Sequence, residues 1–520
     1  MRRRAPLRAV GEDGAGHGAV AGRPYRRRHG GVAGGEGPDR PAEGQRGKIV
    51  TGGARGNDYT PDLRGFIAYL EAEHPEEVVR ISAEVDPKFG VSGILHRLEK
   101  DEKFPLVIFE NVKGSKIPLV ANMHAGFERL RYGIGLEDGT IKEFLAECAQ
   151  REAKPIPPVS VESGPVQEVV VTGDDVDVTE LPVCTYHEKD AGAYITAGLA
   201  LMRDPDTGIN NIGIYRHQVH EKNLLGIQVS ETADANVIWK KFESRGEPCP
   251  IAIIIGHHPA FFIGSLAFSP MDSDELHLAG AMLQRPVPLV PCKTIPLDVP
   301  ADAEIVLECV TRPGERRKEA PFGEYPGTYG PQRMNPVLEI KAITRRRDAL
   351  YQNAFVGHAD NLLLSGIIRT TFIENTVKIA CPTVRKVAVP RSGRFRFMCF
   401  IAIRKMMEGE SKQAAMAAFV ADPFLKFVVV VDEDVDVYND TEVFHAIATR
   451  VRADRDIFMV PYAKGSPLDP ASYDPAGGSH LVTKTGIDAT RKDNYPDEIY
   501  VPGNENIDMA KYIPGYDAGR

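Results

Sequence analysis

Residues 166–344 form a succession of short β-type segments separated by tight-turn sequences. Apolar runs at residues 193–202, 209–219 and 224–229 are joined by DPDTG (204–208) and HEKN (220–223), which have the composition of β-turns. Consecutive strands with connections this short predict an antiparallel barrel or sandwich, and argue against a Rossmann-type sheet.

The segments on either side alternate helical and strand patterns. The N-terminal segment opens with an amphipathic helix behind the start signal Thr60-Pro61. In the C-terminal segment, FVVVV (427–431) is too apolar for a half-exposed strand and predicts one that is covered on both faces. The chain is therefore predicted to be α/β (α+β), with domains at residues 58–155, 156–347 and 348–520, the last ending in a polar tail.

Composition narrows the class of protein. A chain of 520 residues can bury the cores of two or three domains. Its net charge of −9 argues against a nucleic-acid partner, and no apolar run reaches the roughly 18 residues of a membrane span. Seven scattered cysteines without a CxxC pair indicate a reducing, cytoplasmic location.

The first 57 residues do not have the pattern of a folded core. They are rich in Arg, Gly and Ala and show no apolar periodicity. Acidic residues such as Glu12 and Asp13, and the lack of Ser or Thr before Thr51, argue against a transit peptide. We expect a disordered tail, or an upstream start codon wrongly chosen.

Three charged residues are candidates for chemistry. Arg216 lies in NNIGIYRHQ (210–218), which we expect to be an interior-facing strand, and Glu319 and Glu324 lie in the loop sequence EAPFGE. Arg216 could instead form a structural ion pair, and the two acids could be solvated. Together, however, a guanidinium that holds a carboxylate in bidentate geometry and a shielded glutamate that delivers a proton suit a carboxylic acid that loses or gains carbon dioxide.

Two further residues are candidate metal ligands. Asn211 and Glu275 offer the oxygen atoms that hard divalent cations prefer. The pair His257-His258 could also bind a metal, but a turn at a strand end is the favoured interpretation because Pro259 follows.

Five sequence motifs, in order, resemble those of the UbiD family of prenylated-flavin-dependent decarboxylases. The resemblance extends from about residue 58 to residue 492. The motifs are NIGIYR (211–216), GHHPAFFIGS (256–265) leading to Glu275, EAPFGE (319–324), VVVVDEDVDVYN (428–439) and GIDATRK (486–492).

The resemblance implies a fold and a cofactor. The fold would be an N-terminal α/β module, a central split β-barrel that binds flavin, and a C-terminal α/β domain that mediates homo-oligomerisation as a dimer or hexamer. The cofactor would be prenylated FMN (prFMN), made by a separate flavin prenyltransferase. Its phosphate would be held through a divalent cation, usually manganese, with a potassium ion close by.

The resemblance also implies roles for residues at the matching positions. Arg216, Glu319 and Glu324 would be the catalytic network, and Asn211 and Glu275 would be metal ligands. The flavin would face the backbone of Gly213, Ile214, Tyr215 and Arg216 together with Ser265, and Lys412 would help to neutralise the phosphate.

The third metal ligand departs from the family pattern. The family usually has a histidine before the helix that precedes the apolar strand, whereas this chain reads SETADANV (230–237). Thr232, Ala233 or Asp234 falls at that place. Asp234 would keep the site rich in oxygen ligands, and Ala233 would leave a gap.

The implied reaction is reversible, non-oxidative decarboxylation of an aromatic, heteroaromatic or α,β-unsaturated acid, with Glu324 as the proton donor. The largely apolar segment GHADNLLLSG (357–366) would close the pocket and favours a flat ring. A catabolic arene or heteroarene acid is preferred to a prenylated hydroxybenzoate of quinone biosynthesis. The alternative is an accessory, cofactor-poor subunit of a larger carboxylase.

Overall fold

The computed structural model describes residues 59–230, 233–267, 270–472, 480–496, 498–499, 501–503 and 507–513. The predicted tail at residues 1–57 lies outside the described residues. The first part of the described chain is a mixture of helices and short strands. These are α1 (Leu63–Glu73), β1 (Val78–Ile81), α2 (Gly90–Lys100), β2 (Leu106–Phe109), β3 (Leu119–Ala121), α3 (Phe127–Gly133) and α4 (Ile141–Glu152).

The N-terminal strands form a small sheet in the order β1-β2-β3-β16, to which β16 (Tyr351–Gln352) returns from much later in the chain. Helix α1 buries its apolar face against this sheet. It begins at Leu63 and not directly after Thr60-Pro61, because Asp62 is the N-cap and accepts a hydrogen bond from the Gly65 N–H at 2.8 Å.

The central region contains most of the strands and three helices. The strands are β4 (Val159–Ser160), β5 (Val169–Thr172), β6 (Tyr194–Ile195), β7 (Leu199–Arg203), β8 (Asn210–Ile214), β9 (His217–Glu221), β10 (Leu224–Ile227), β11 (Pro250–Ile255), β12 (Pro288–Pro291), β13 (Asp298–Pro300), β14 (Ile305–Glu319) and β15 (Arg333–Arg345). The helices are α5 (Asp234–Ser244), α6 (Pro259–Ser265) and α7 (Glu275–Leu283).

Nine of these strands form one antiparallel sheet, in the order β6-β9-β10-β15-β14-β11-β7-β8 with β5 beside β15. The antiparallel pairing agrees with the short connections in the sequence. In the described residues the path of pairings is open, from β6 at one end to β8 at the other.

One prediction about this sheet was wrong. Residues 209–219 do not form a single strand, because the chain leaves the ladder at Tyr215 and Arg216, between β8 and β9. Each strand then pairs with a different neighbour, β8 with β7 and β9 with β6 and β10. Arg216 therefore occupies a strand break, where its side chain reaches the loop that follows β14.

The C-terminal part is a second α/β layer structure. Its elements are α8 (Ala359–Ala380), β17 (Val384–Ala388), β18 (Met398–Ile403), α9 (Glu410–Ala421), β19 (Phe427–Asp432), α10 (Asp440–Arg450), α11 (Ala453–Asp456), β20 (Ile457–Lys464) and β21 (Leu481–Ala489). The sheet order is β17-β18-β19-β21-β20, and β19 pairs in parallel with both of its neighbours.

Strand β19 is covered on both faces, as its apolar sequence predicts. Val428 and Val430 belong to the core under α8 and α9, and Val429 and Val431 belong to the core under α10. The mixed α/β class is thus confirmed, while the exact domain boundaries stay predictions. In the described part of the chain, no helix combines the length and apolarity that a membrane crossing requires.

Candidate active site

Arg216, Glu319 and Glu324 meet in the structure. Arg216 Nε donates a hydrogen bond to Glu319 Oε1 at 2.7 Å, and Arg216 Nη1 donates to Glu324 Oε1. The side chain of Glu319 has no exposed surface, and those of Arg216 and Glu324 are 12% and 7% exposed. The guanidinium also lies 5.2 Å from the centroid of the Phe322 ring. The three residues thus form a shielded ion-pair network.

The two glutamates are held in different ways. Glu319 is the last residue of β14, whereas Glu324 lies in the segment that follows, and we call residues 319–330 the acidic loop. Asp190 anchors this loop by accepting a hydrogen bond from the Gly323 N–H at 2.9 Å. Glu319 is therefore fixed by the sheet, and Glu324 depends on the anchors of the loop.

Asn335 completes the environment of Glu319. Its Nδ2 donates to Glu319 Oε2 and also to Gln228 Oε1, the latter at 2.6 Å. Both oxygens of the Glu319 carboxylate thus have a donor, Arg216 on one side and Asn335 on the other. Sequence reasoning missed Asn335 and Gln228; the only signal was a polar residue at the start of the apolar run NPVLEI (335–340).

Asn211 and Glu275 also come together. Asn211 Nδ2 donates to Glu275 Oε1 and the Ile212 N–H donates to Glu275 Oε2, both at 3.3 Å. Glu275 begins α7 and is buried. Burial, together with the charges of Asp274 and Asp234, raises the pKa of its carboxyl to about 7. In the described residues, Asn211 Oδ1 is buried with no hydrogen-bond partner.

Asp234 is the first residue of α5, with Ala233 as the N-cap, and Thr232 lies outside the described residues. Burial raises the pKa of Asp234, whose charge also raises the pKa values of Tyr215 and Glu275. The charge of Asp234 therefore acts on Glu275 and Tyr215. Across the described ranges, no three His, Cys, Asp or Glu side chains come close enough to hold a metal ion.

Of the predicted flavin-facing residues, Gly213, Ile214 and Tyr215 follow Asn211 along β8 and the strand break after it. The ring of Tyr215 packs over Gly213 so closely that a Cβ there would lie 2.6 Å from Tyr215 Oη. Ser265 ends α6 and is fully buried, and within the described structure its Oγ has no hydrogen-bond partner. Buried polar atoms are almost always satisfied. The Ser265 and Asn211 oxygens are therefore each suited to bind a polar group, such as a cation or a cofactor.

Lys412, the other predicted cofactor ligand, lies on α9 of the C-terminal domain. It is exposed, and its Nζ is 5.3 Å from the centroid of the Phe458 ring. It lines a cleft of about 970 Å³ together with Arg452, Arg455 and Lys492. The lining of this cleft includes none of the residues around Arg216 or Asn211.

His257 and His258 bind protein groups. His257 Nε2 lies 3.0 Å from Asp302 Oδ1, and His257 Nδ1 accepts a hydrogen bond from the His258 N–H at 2.8 Å. His258 is the N-cap of α6 and accepts from the Ala260 N–H at 3.1 Å. The structure agrees with the turn interpretation of this pair.

Three family profiles match consecutive parts of the chain. They describe the N-terminal domain (residues 70–148), the Rift-related domain (158–359) and the C-terminal domain (363–489) of 3-octaprenyl-4-hydroxybenzoate carboxy-lyase, UbiD. The anhydromevalonate phosphate decarboxylase of Methanothermobacter thermautotrophicus is 35% identical over 415 residues, which is 80% of this chain and 94% of the relative. The chain belongs to the UbiD family of carboxy-lyases.

Solved structures of UbiD-class enzymes share the fold. HmfF from Pelotomaculum thermopropionicum, in complex with FMN, has a TM-score of 0.81 at 37% identity and covers 87% of this chain and 100% of HmfF. An evolved dimeric form of HmfF in complex with prFMN has a TM-score of 0.77 at 34% identity, with the same coverage. The 3,4-dihydroxybenzoic acid decarboxylase of Enterobacter cloacae, an apo structure, has a TM-score of 0.79 at 28% identity and covers 88% of this chain and 99% of the decarboxylase.

The predicted family membership, and with it the enzyme class, is confirmed by these similarities. HmfF thus binds FMN, and its evolved dimeric form binds prFMN. The ligand set and the roles of individual residues stay predictions.

Proposed function

We propose that this chain catalyses the reversible, non-oxidative decarboxylation of an aromatic, heteroaromatic or α,β-unsaturated carboxylic acid with prFMN. The observation that carries the proposal is the buried bond between Arg216 and Glu319, with Glu324 on the other side of the same guanidinium. A cation between two acids offers one group to bind a carboxylate and one to transfer a proton.

The residues near β8 fit the proposed cofactor. Asn211 and Glu275, with Asp234 as the third ligand, would hold a divalent cation such as manganese, and potassium would bind close by. The backbone at residues 213–216 and the buried Ser265 hydroxyl would face the flavin. When bound, prFMN supplies an electron sink for the electron pair that remains after carbon dioxide leaves. A flavin prenyltransferase would supply it.

Arg216 would bind and orient the substrate carboxylate. Its guanidinium is planar, is fixed through Nε by Glu319 and contacts Glu324 through Nη1, so Nη2 is the nitrogen that would meet the substrate carboxylate. Glu319 and Asn335 would set its direction. The Phe322 ring covers one side of the guanidinium and would exclude water from it.

Glu324 would transfer the proton. In its acid form it would protonate the carbon from which carbon dioxide has left, and in the reverse direction it would remove that proton. Glu324 lies on a loop and contacts the Arg216 guanidinium, which would orient the substrate, and this position suits the role.

The segment 357–366 supports a flat apolar substrate. The ring of His358 stacks on Phe355, with centroids 3.6 Å apart, and His358 Nδ1 is bonded to Glu99. Glu99 thus occupies the polar edge of His358, and the remaining sequence of the segment is largely apolar. We therefore favour a catabolic arene or heteroarene acid over a prenylated hydroxybenzoate of quinone biosynthesis.

The proposed assembly is a cytoplasmic homo-oligomer, a dimer or hexamer. Several large apolar side chains of the C-terminal domain are exposed, including Met416 and Val420 on α9 and Met459 and Tyr462 on β20. Exposed apolar surface of this kind favours burial against another subunit. All seven cysteines are free thiols.

The mass of the cofactor tests the proposal. The chain is purified after co-expression with a flavin prenyltransferase, with manganese added, and the released cofactor is weighed by mass spectrometry. Prenylated FMN, with carbon dioxide release from a panel of benzoic, furoic and cinnamic acids, is expected. An empty protein, or one that holds plain FMN after metal is added, would contradict the proposal and favour the accessory subunit.

A further inference from the structure

The C-terminal domain contacts the acidic loop at Tyr325, the residue after Glu324. The Tyr325 side chain is buried, and its hydroxyl is 2.7 Å from Ser466 Oγ. Its ring lies 5.6 Å from the Phe397 ring and 4.9 Å from the Arg396 guanidinium. The position of Glu324 is therefore coupled to a domain that contributes neither Arg216 nor Glu319.

Arg394 binds the backbone of the same loop. Its Nε donates to the Tyr325 carbonyl at 2.9 Å, and its Nη2 donates to the Gly357 carbonyl at 2.7 Å. Gly357 has φ +81° and approaches the loop so closely that a Cβ there would lie 3.0 Å from the Glu324 carbonyl oxygen. Arg394 thus joins the acidic loop to the segment that enters α8.

The backbone around Arg394 is held in an uncommon conformation. Arg394 and Phe395 are consecutive non-glycine residues with positive φ, 56° and 52°. The Phe395 ring packs on Gly366 of α8, where a Cβ would lie 2.3 Å from Phe395 Cδ1. Left-handed backbone at residues other than glycine is costly and persists where the surroundings over-determine it. Here the conformation is accompanied by the two hydrogen bonds of Arg394.

The hydrogen bonds of Arg394 indicate a role other than forming an ion pair. They go to two main-chain carbonyls, and within the described ranges Arg394 forms no ion pair. By contrast, Arg391, three residues earlier, pairs with Glu99 at 2.9 Å and is 46% exposed. Two fixed donors on one planar group define the distance between two backbone segments better than a flexible ammonium does.

We propose that Arg394 is a positioning residue for Glu324. By donating hydrogen bonds to the Tyr325 and Gly357 carbonyls, it holds the acidic loop in the position where Glu324 contacts Arg216 and can transfer the proton. The inference rests on the proposed role of Glu324. A displacement of a catalytic group by about 1 Å can cost about 100-fold in rate. Loss of the two Arg394 hydrogen bonds should therefore lower kcat more than it changes KM.

The test compares Arg394→Gln, Arg394→Lys and the control Arg391→Gln in the full chain loaded with cofactor. The substrate is the acid of the benzoic, furoic and cinnamic panel that the wild type converts fastest. Arg394→Gln is expected to lower kcat by about tenfold or more with KM little changed. Arg394→Lys, which keeps the charge and some donors, should recover part of the loss, and Arg391→Gln should match the wild type.

Hydrogen–deuterium exchange of peptides from residues 319–330 gives a second readout that needs neither substrate nor cofactor. Exchange in the acidic loop should be faster in Arg394→Gln and unchanged in Arg391→Gln. Wild-type kcat together with wild-type loop exchange in Arg394→Gln would overturn the inference. So would a uniform loss of thermal stability and cofactor in Arg394→Lys, because that pattern indicates a general folding role.

The inference and the proposed function fail in different ways. A fully active Glu324→Gln variant would remove the proposed role of Glu324 itself. An inactive Glu324→Gln with a wild-type Arg394→Gln would contradict only the role of Arg394. If the wild type converts no acid of the panel, hydrogen–deuterium exchange of the acidic loop is the deciding measurement. Faster exchange in Arg394→Gln would support the positioning role of Arg394, and unchanged exchange would contradict it.

Discussion

Glu319 Oε1 lies 2.7 Å from Arg216 Nε, at a carboxylate with no exposed surface. Glu324, in contrast, meets the outer Nη1 of the same guanidinium from a loop. The inner acid is therefore suited to orientation, and the outer acid can change its contacts during a reaction. Substitution of Glu319 and substitution of Glu324 should therefore have different effects.

Glu324→Gln should abolish turnover and leave the cofactor bound. The amide keeps the size and polarity of the side chain but cannot deliver a proton, and general acid catalysis contributes about 10²–10⁴-fold in rate. Turnover is measured as carbon dioxide release, and the cofactor by its absorbance and mass. Glu315→Gln, at a half-exposed position of β14, serves as the control. Normal activity in Glu324→Gln would refute the assignment of the proton donor.

Asn335 should matter for both stability and rate. Asn335→Ala removes the donor to Glu319 Oε2 and leaves a buried carboxylate oxygen unsatisfied, which costs about 1–3 kcal/mol. We expect lower thermal stability and a lower kcat, because Glu319 would hold Arg216 less firmly. Asn335→Asp should be worse, since it places a second carboxylate against Glu319. An Asn335→Ala protein as stable and active as the wild type would show that the contact is unimportant.

The sequence led to Arg216, Glu319 and Glu324 because their residue types and loop context point to chemistry before any fold is known. It did not lead to Asn335, Gln228 or Arg394, which reach the site from distant segments. A single polar residue in a strand or turn carries no periodic signal. Their roles arise from tertiary contacts alone.

The break of the strand at Tyr215 and Arg216 was missed for a related reason. The apolar alternation runs on through residues 209–219, so periodicity predicts one strand. The break follows from the pairing of the two strands, because β8 lies at one end of the sheet and β9 lies near the other end. By contrast, the central strand FVVVV was predictable because composition alone reports burial on both faces.

Asp234→Ala tests the third ligand. If Asp234 completes the site with Asn211 and Glu275, its loss should lower manganese retention by about tenfold or more, since even outer partners of metal ligands contribute about 10–100-fold. Manganese is measured by elemental analysis and cofactor by mass after co-expression with the prenyltransferase. Glu243→Ala is the matched control, because Glu243 is on the same helix but pairs with Arg316. Equal metal content in both variants would exclude Asp234 as a ligand.

Acid should destabilise the fold through buried neutral histidines. Burial lowers the pKa values of His124 and His258 to about 3, from an ordinary 6.5. Because the folded pKa is the lower one, their contribution is complete above pH 6.5 and is lost as pH falls from 6.5 toward 3. At pH 5 each histidine should cost about 2 kcal/mol relative to neutral pH.

His124→Leu isolates this effect. His124 contacts the Phe262 ring at 4.7 Å, so an apolar side chain suits the site, and the variant should lose less stability than the wild type between pH 7 and pH 5. The neighbouring Asp360 acts in the opposite direction, because burial raises its pKa to about 6 and its contribution is lost as pH rises through that value. Comparing urea unfolding of His124→Leu with that of the exposed control His445→Leu therefore separates the two. Parallel stability curves for wild type and His124→Leu would mean that His124 does not carry the acid sensitivity.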